Sequence, residues 1–280
     1  MPGSRTARRG LLVLLAIGVL VAGAAFGVRQ LLSRVELPTA RSASCDVANS
    51  PYTLSTEQAA NAATITAVAG RRDLPPRAVT IALATALQES KLINVEYGDR
   101  DSLGLFQQRP SQGWGSAGQV LDPRYAAGKF FDALVEVEGW ETLKLTVAAQ
   151  EVQASGHPTA YQQWEDQATA LTRVFTGAEP ALLSCSFPEP TVAASPAKVM
   201  QLLALERPHT KLAATAQTGE LRPTVPWATA GWLVAKADRL GIESVALDGR
   251  RWTRSDGWRV DAGAGPDRIR FEVAKIPPTA

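Results

Sequence analysis

The residues best suited to chemistry cluster between positions 75 and 115, and Glu89 is the sharpest of them. It follows a stretch, residues 78–87, that has no charged side chain and carries apolar or small residues all round a helix entered through Pro75 and Pro76. Proline suits a first helical turn, where the missing N–H has no intrahelical partner to lose. A helix apolar on every side is a buried one. A carboxyl group at the C-terminal end of such a helix meets burial and the negative end of the helix dipole, and both disfavour its charge. That combination keeps a glutamic acid protonated for general-acid work near neutral pH.

The following stretch supplies the rest of a site. Gly98-Asp99-Arg100-Asp101 has the composition of a turn. Residues 102–108, Ser-Leu-Gly-Leu-Phe-Gln-Gln, form a short apolar run broken by Gly104 and ended by Gln107 and Gln108, with a small hairpin expected around Gly104. Arg109, Gln112 and Trp114 then bring a guanidinium, an amide and an indole into the same loop. Amide donors and aromatic faces are the usual means of holding a sugar. Asp99 and Asp101 are the candidates for a second carboxylate, although each is also a natural turn former; Glu96 is a weaker one.

Taken together, Ala86-Leu87-Gln88-Glu89-Ser90 followed by Ser102-Leu103-Gly104-Leu105-Phe106-Gln107-Gln108 resembles the Glu-Ser and Gly-Leu-Met-Gln motifs of the soluble lytic transglycosylases, which belong to the lysozyme-like superfamily. It is most similar to a group of membrane-anchored actinobacterial proteins carrying such a domain. The resemblance covers roughly residues 54–187. It implies a mostly α, lysozyme-like domain acting on peptidoglycan glycan strands, with Glu89 as sole catalytic acid. It also implies that Ser90, Gly104, Leu105, Phe106, Gln107 and Gln108 line or support the cleft, Phe106 standing where the family has Met. A third family motif, Ala-Ala-Tyr-Asn-x-Gly, finds only Ala148-Ala149-Gln150-Glu151-Val152-Gln153, which keeps the alanines and places Gln150 where the substrate-gripping residues should stand. Trp114 and Tyr161 are further candidate substrate contacts; each has an alternative reading as a packing residue, as does Trp164. The departure in the third motif leaves a second reading open, a membrane-tethered glycan-binding or scaffold protein with a lapsed cleft.

The elements that must position these residues read as follows. Ser55-Thr56-Glu57-Gln58 is a capping-box pattern opening a helix to about Gly70. Further helices are expected over residues 122–138, 142–154 and 158–175, the last stopped by Gly177. Residues 186–196, with three prolines, form a natural linker. Beyond it a small α/β module follows: helices over residues 197–205 and 226–240, then strands over 243–247, 250–253, 258–261 and 268–273, with turns at Asp248-Gly249 and Ser255-Asp256-Gly257. The fold class expected is α+β, in segments 1–9, 10–28, 29–51, 52–187, 188–196 and 197–280: a cytoplasmic n-region, a membrane segment, a tether, the lysozyme-like domain, a linker and the module.

Residues 10–28 are uncharged and strongly apolar, about as long as a membrane span requires. Arg5, Arg8 and Arg9 precede them and favour a cytoplasmic N-terminus. The alternative is a cleaved signal peptide, with Ala22-Gly23-Ala24 as a small-residue site. Either way the remainder is exported, as a single-pass membrane protein or a secreted one. The net charge of +2 is dominated by this N-terminus: without residues 1–36, with five Arg and one Glu, 24 basic residues face 26 acidic ones. No basic excess is left to neutralise phosphates, so nucleic acid is not an expected partner. The only two cysteines, Cys45 and Cys185, bracket the expected lysozyme-like domain, and in an exported chain a disulfide is the default. With His157 and His209 as the only histidines no zinc-ligand spacing can be assembled, and neither metal nor cofactor is expected.

Overall fold

A buried helix stands at the centre of the molecule because its sequence leaves it no solvent-facing side. The structure, a computed structural model, describes residues 43–190 and 195–275. The segments expected at 1–9 and 10–28 lie outside them, as does most of the tether and part of the linker. Among the described residues no helix is long and apolar enough to cross a membrane.

The chain enters through strands β1 (Ser44–Val47) and β2 (Thr53–Leu54), then helices α1 (Thr56–Gly70) and α2 (Pro76–Ser90). The Ser55 capping box forms as its sequence dictates, the Ser55 hydroxyl accepting from the Gln58 N–H and Gln58 accepting from the Ser55 N–H. Ala78 to Leu87 of α2 are all buried. Around α2 pack α1, α4 (Pro123–Val135), α5 (Leu145–Gln153) and α6 (Glu165–Thr176), after a one-turn α3 (Ala117–Val120). The helix expected from residue 142 begins three residues later, because Gly139, Thr142 and their neighbours close a turn of their own. The helix expected from residue 158 begins at Glu165, preceded by a short 3-10 turn at Gln162–Trp164.

Strand β3 (Leu183–Ser186) returns to pair antiparallel with β1, Cys45 opposite Cys185, and the two sulfurs are bonded at 2.04 Å. This three-stranded sheet, in order β2-β1-β3, has no alternating pattern long enough to read from sequence. It also draws residues 44–47 out of the expected tether and into the folded body. Helix α7 (Pro196–Glu206) is followed by a hairpin, β4 (His209–Ala214) and β5 (Thr218–Pro223), which the sequence reading missed. The helix expected at 226–240 divides into α8 (Pro226–Ala235) and α9 (Ala237–Leu240). Strands β6 (Ile242–Leu247), β7 (Arg250–Thr253), β8 (Gly257–Val260) and β9 (Ile269–Val273) complete an antiparallel sheet in order β4-β5-β9-β6-β7-β8. The architecture is α+β.

The C-terminal sheet does not keep to itself. Its helix α8 is buried from Ala228 to Ala235 against α1, α6, β3 and β6. The indoles of Trp252 and Trp258 donate to the carbonyls of Cys185 (3.0 Å) and Leu183 (2.8 Å), bracing the strand that carries the disulfide. At the same junction lies a buried ionic cluster. The Lys236 ammonium meets Glu206 (3.2 Å) and the Thr64 hydroxyl of α1 (2.6 Å), while Trp232 donates to Glu206 at 2.5 Å. Such a cluster is tolerated when every member is paired, and removing one partner leaves a buried charge costing about 3–5 kcal/mol. Helical part and sheet therefore share one core.

Candidate active site

Glu89 ends α2 with its carboxylate half-buried, and the first question is what holds it there. The helix terminates in two successive non-glycine residues in left-handed conformation, Lys91 (φ 56°) and Leu92 (φ 61°). Such backbone is unfavourable alone and persists where its surroundings over-determine it. Helix α1 does that: Gln58 donates to the Lys91 carbonyl (2.8 Å), Asn61 to the Leu92 carbonyl (2.8 Å), and Glu57 accepts from the Asn94 N–H (3.1 Å). On the other side Ser90 hydroxyl lies 2.9 Å from the Leu105 carbonyl and 3.1 Å from that of Ala86, tying the helix end to the following loop. Ser90 is thus a positioning residue whose hydroxyl is engaged within the chain.

Among the described residues the carboxylate accepts one hydrogen bond: the Tyr161 hydroxyl donates to Glu89 Oε1 at 2.7 Å. Tyr161 is wholly buried. Burial first, and the neighbouring carboxylate next, push its phenol well above the ordinary tyrosine range, so it remains a neutral donor. Trp164, one 3-10 turn beyond, fixes the other flank. Its indole donates to Gln88 (2.8 Å), and the Lys91 ammonium sits 4.1 Å from its ring centroid. Lys91 lies within electrostatic reach of Glu89, and its own pKa is lowered, by partial burial above all. Lys91 and Gln88 were not singled out from sequence, although both flank the catalytic candidate.

Glu89 opens on a cleft of about 480 Å³ whose other walls are the loop after α2 and the end of α5. Residues Asp99, Arg100, Ser102, Gln107, Gln108, Arg109, Gln112 and Trp114 line one side; Gln153 to Gly156 line the other. The loop is built around Gly104, at φ +76°, where a Cβ would stand 2.5 Å from the Val120 carbonyl oxygen, so only glycine fits. Leu103 and Gln108 pair across it as a minimal hairpin. Leu105 and Phe106 turn inward and are fully buried, Phe106 stacking on Phe130 with centroids 4.7 Å apart. They support the cleft from below and do not line it. Gln107 reaches back to the Tyr97 and Gly104 carbonyls, each at 3.3 Å. Gln108 donates to the Ala126 carbonyl (3.0 Å), while its Oε1 is buried without a partner. Gln153, from α5, donates to the Phe106 carbonyl at 2.8 Å and closes the far wall.

The remaining candidates separate cleanly. The Gln150 amide is closed on Ser155, donating to its carbonyl (2.9 Å) and accepting from its hydroxyl (3.1 Å), and it is absent from the cleft lining. Asp101 is bound into its own loop: it accepts from the Ser111 N–H (2.7 Å), the Ser111 hydroxyl (3.0 Å) and Arg109 (2.9 Å). Those bonds, the Ser111 N–H first, hold its carboxyl far below the usual carboxylate range. Asp99 lies on the cleft rim, 93% exposed, with Arg100 at 3.9 Å. Among the described residues no cluster of His, Cys, Asp and Glu has the makings of a metal site. Comparison with protein-family models and with curated proteins finds no match for this chain.

Proposed function

We propose that this protein cleaves peptidoglycan glycan strands as a lytic transglycosylase of lysozyme-like type, with Glu89 as the single acid and base. The observation that carries the reading is that Glu89 lines the cleft while its Oε1 is held from behind by the buried Tyr161 hydroxyl. Two-carboxylate glycosidases need a second acid free to act as nucleophile or base. Here Asp101 is occupied by three loop donors and Asp99 stands on the solvent-exposed rim. A single-acid route is the better fit. Glu89 gives its proton to the oxygen leaving from C1 of N-acetylmuramic acid as that bond breaks. The acetamido oxygen of the same sugar supports the cationic carbon. The Glu89 carboxylate then takes the proton of the C6 hydroxyl as O6 bonds to C1, closing the 1,6-anhydro ring and restoring the acid.

The disulfide supports an exported setting, since such bonds persist in oxidising compartments. The apolar segment at residues 10–28 supports a single-pass anchor with the remainder outside the membrane. A second reading, a glycan-binding protein without turnover, draws on α5, where Gln150 is closed on Ser155 and makes no wall of the cleft.

The test is incubation of the full chain in detergent with peptidoglycan sacculi, wild type beside Glu89→Gln, and mass spectrometry of the soluble products. Anhydro-muropeptides from wild type and none from Glu89→Gln are expected. Reducing-end products would replace the single-acid route by hydrolysis. Binding without release would leave the glycan-binding reading.

A further inference from the structure

The wall of the cleft that faces Glu89 is rich in donors, and the sign of its charge bears on which glycans it takes. Arg109 is neutralised in place, its Nε on Asp101 at 2.9 Å. Arg100 is not. Its side chain is 70% exposed, and its one carboxylate neighbour among the described residues, Asp99, is 3.9 Å away. An exposed pair at that distance is worth little and is readily exchanged for a better partner.

The loop that carries Arg100 is stiff. Arg100 itself sits at φ 57°. The Ser102 N–H closes the turn on the Asp99 carbonyl (3.0 Å), and Asp101 is held by Ser111 and Arg109. A Cβ at Gly98 would run into the Gln107 side chain, so the turn is also wedged from behind. The turn fixes where the Arg100 side chain starts on the cleft lining, and its planar guanidinium can engage a planar oxyanion with two N–H groups at once.

We infer that Arg100 is a specificity-determining residue that reads a carboxylate carried by the glycan, so that the cleft prefers strands bearing lactyl or stem-peptide carboxylates over neutral N-acetylglucosamine polymers. The inference rests on the cleft being a glycan site, as proposed above.

The test measures binding, so that it does not depend on turnover. The full chain with Glu89→Gln is titrated with three soluble probes: chito-oligosaccharide, muramyl strands with free carboxylates, and the same strands amidated. Free-acid strands should bind about threefold to tenfold more tightly than the other two, the range for one favourable exposed ion pair. That margin should disappear in Arg100→Gln, fall in Arg100→Lys, which keeps the charge but not the paired N–H groups, and shrink with added salt. Melting curves establish that the Arg100 variants fold. Equal binding of all three probes, or a margin that persists in Arg100→Gln, overturns the inference while leaving release of anhydro products by wild type intact. A margin that depends on Arg100 in a protein that releases no products keeps the inference and removes the catalytic reading. Failure to bind any probe removes both.

Discussion

The Tyr161–Glu89 hydrogen bond makes the most direct claim about the site, and Tyr161→Phe tests it. The ring remains in a fully buried slot, so the substitution deletes one oxygen and opens no void of consequence. What is lost is a 2.7 Å bond from a neutral phenol to a carboxylate. Removing a hydrogen bond to a charged group costs about 1.5–3 kcal/mol, the figure that applies when melting is measured at a pH where Glu89 is ionised. Glu89 is only half-buried, so water takes over part of the phenol's role and the lower end applies, about 1.5 kcal/mol. For a body of this size that lowers the melting temperature by roughly 3–6 °C. If the bond fixes the carboxyl in its productive direction, the rate of anhydro-muropeptide release should fall by about tenfold, the same free energy expressed in the barrier. Calorimetry and product release measure the two quantities on the same samples.

A double-mutant cycle with Glu89→Gln isolates the pair, since neighbours in contact are not additive. The stability loss from Tyr161→Phe should be clearly smaller when position 89 carries a neutral amide. Unchanged melting and unchanged rate in Tyr161→Phe would refute the positioning role. A loss beyond about 4 kcal/mol would show that the hydroxyl serves the core and not the carboxylate.

Two further outcomes follow from the geometry. The disulfide closes a loop of 140 residues, and the chain-entropy relation gives about 5 kcal/mol for a loop of that length; Cys45→Ser with Cys185→Ser should lower stability by that order, and because sheet and helices share a core, calorimetry should show one transition moving down and not two. Asp101 has its carboxyl depressed, by the Ser111 N–H first and Arg109 second, so its loop is held above the unfolded carboxylate pKa, about 4, and loosens only as pH falls toward the folded value in strong acid; the Ser111 amide proton, followed by NMR, should stay protected from exchange through pH 4 in wild type and lose its pH dependence in Asp101→Asn.

How far the sequence disclosed all this varies with the physics of each part. Helix α2 was legible because burial on every side is written in composition: residues 78–87 lack charge, and the structure buries each of them. The Ser55 capping box was legible because two positions three residues apart, Ser55 and Gln58, suffice to state it. Strands β1 and β3 were not, because each is four residues long and gains its identity from a partner about 140 residues away. The hairpin of β4 and β5 was missed for a related reason. Two of the three inward positions of β5 are Gly219 and Pro223, residue types that do not favour a strand, and the pairing register shifts between Lys211 and Ala213. Within the site, Glu89 and the cleft-lining glutamines could be named from local pattern. Tyr161 could be named, but not its hydrogen bond to Glu89, which spans 72 residues. Lys91 gave no signal at all, since a lysine after a helix ordinarily faces water and here lies over an indole.

The same distinction explains the architecture of the site. A helix end cannot aim its own carboxylate, because the last turn frays and the carbonyls there lack partners. In this chain the aim comes from three directions at once. Helix α1 clamps the strained Lys91–Leu92 exit through Gln58 and Asn61, Ser90 pins the helix to the Leu105 carbonyl, and Tyr161 holds the carboxylate itself. None of these groups needs to touch substrate. Helix α1 is in turn fixed by the Thr64–Lys236–Glu206 cluster, whose lysine and glutamate belong to the C-terminal part. The C-terminal part, which carries no chemistry of its own in the proposed reaction, would therefore bear on that reaction through α1. A structural support of that kind would be expected to alter the rate of cleavage while leaving the character of its products unchanged.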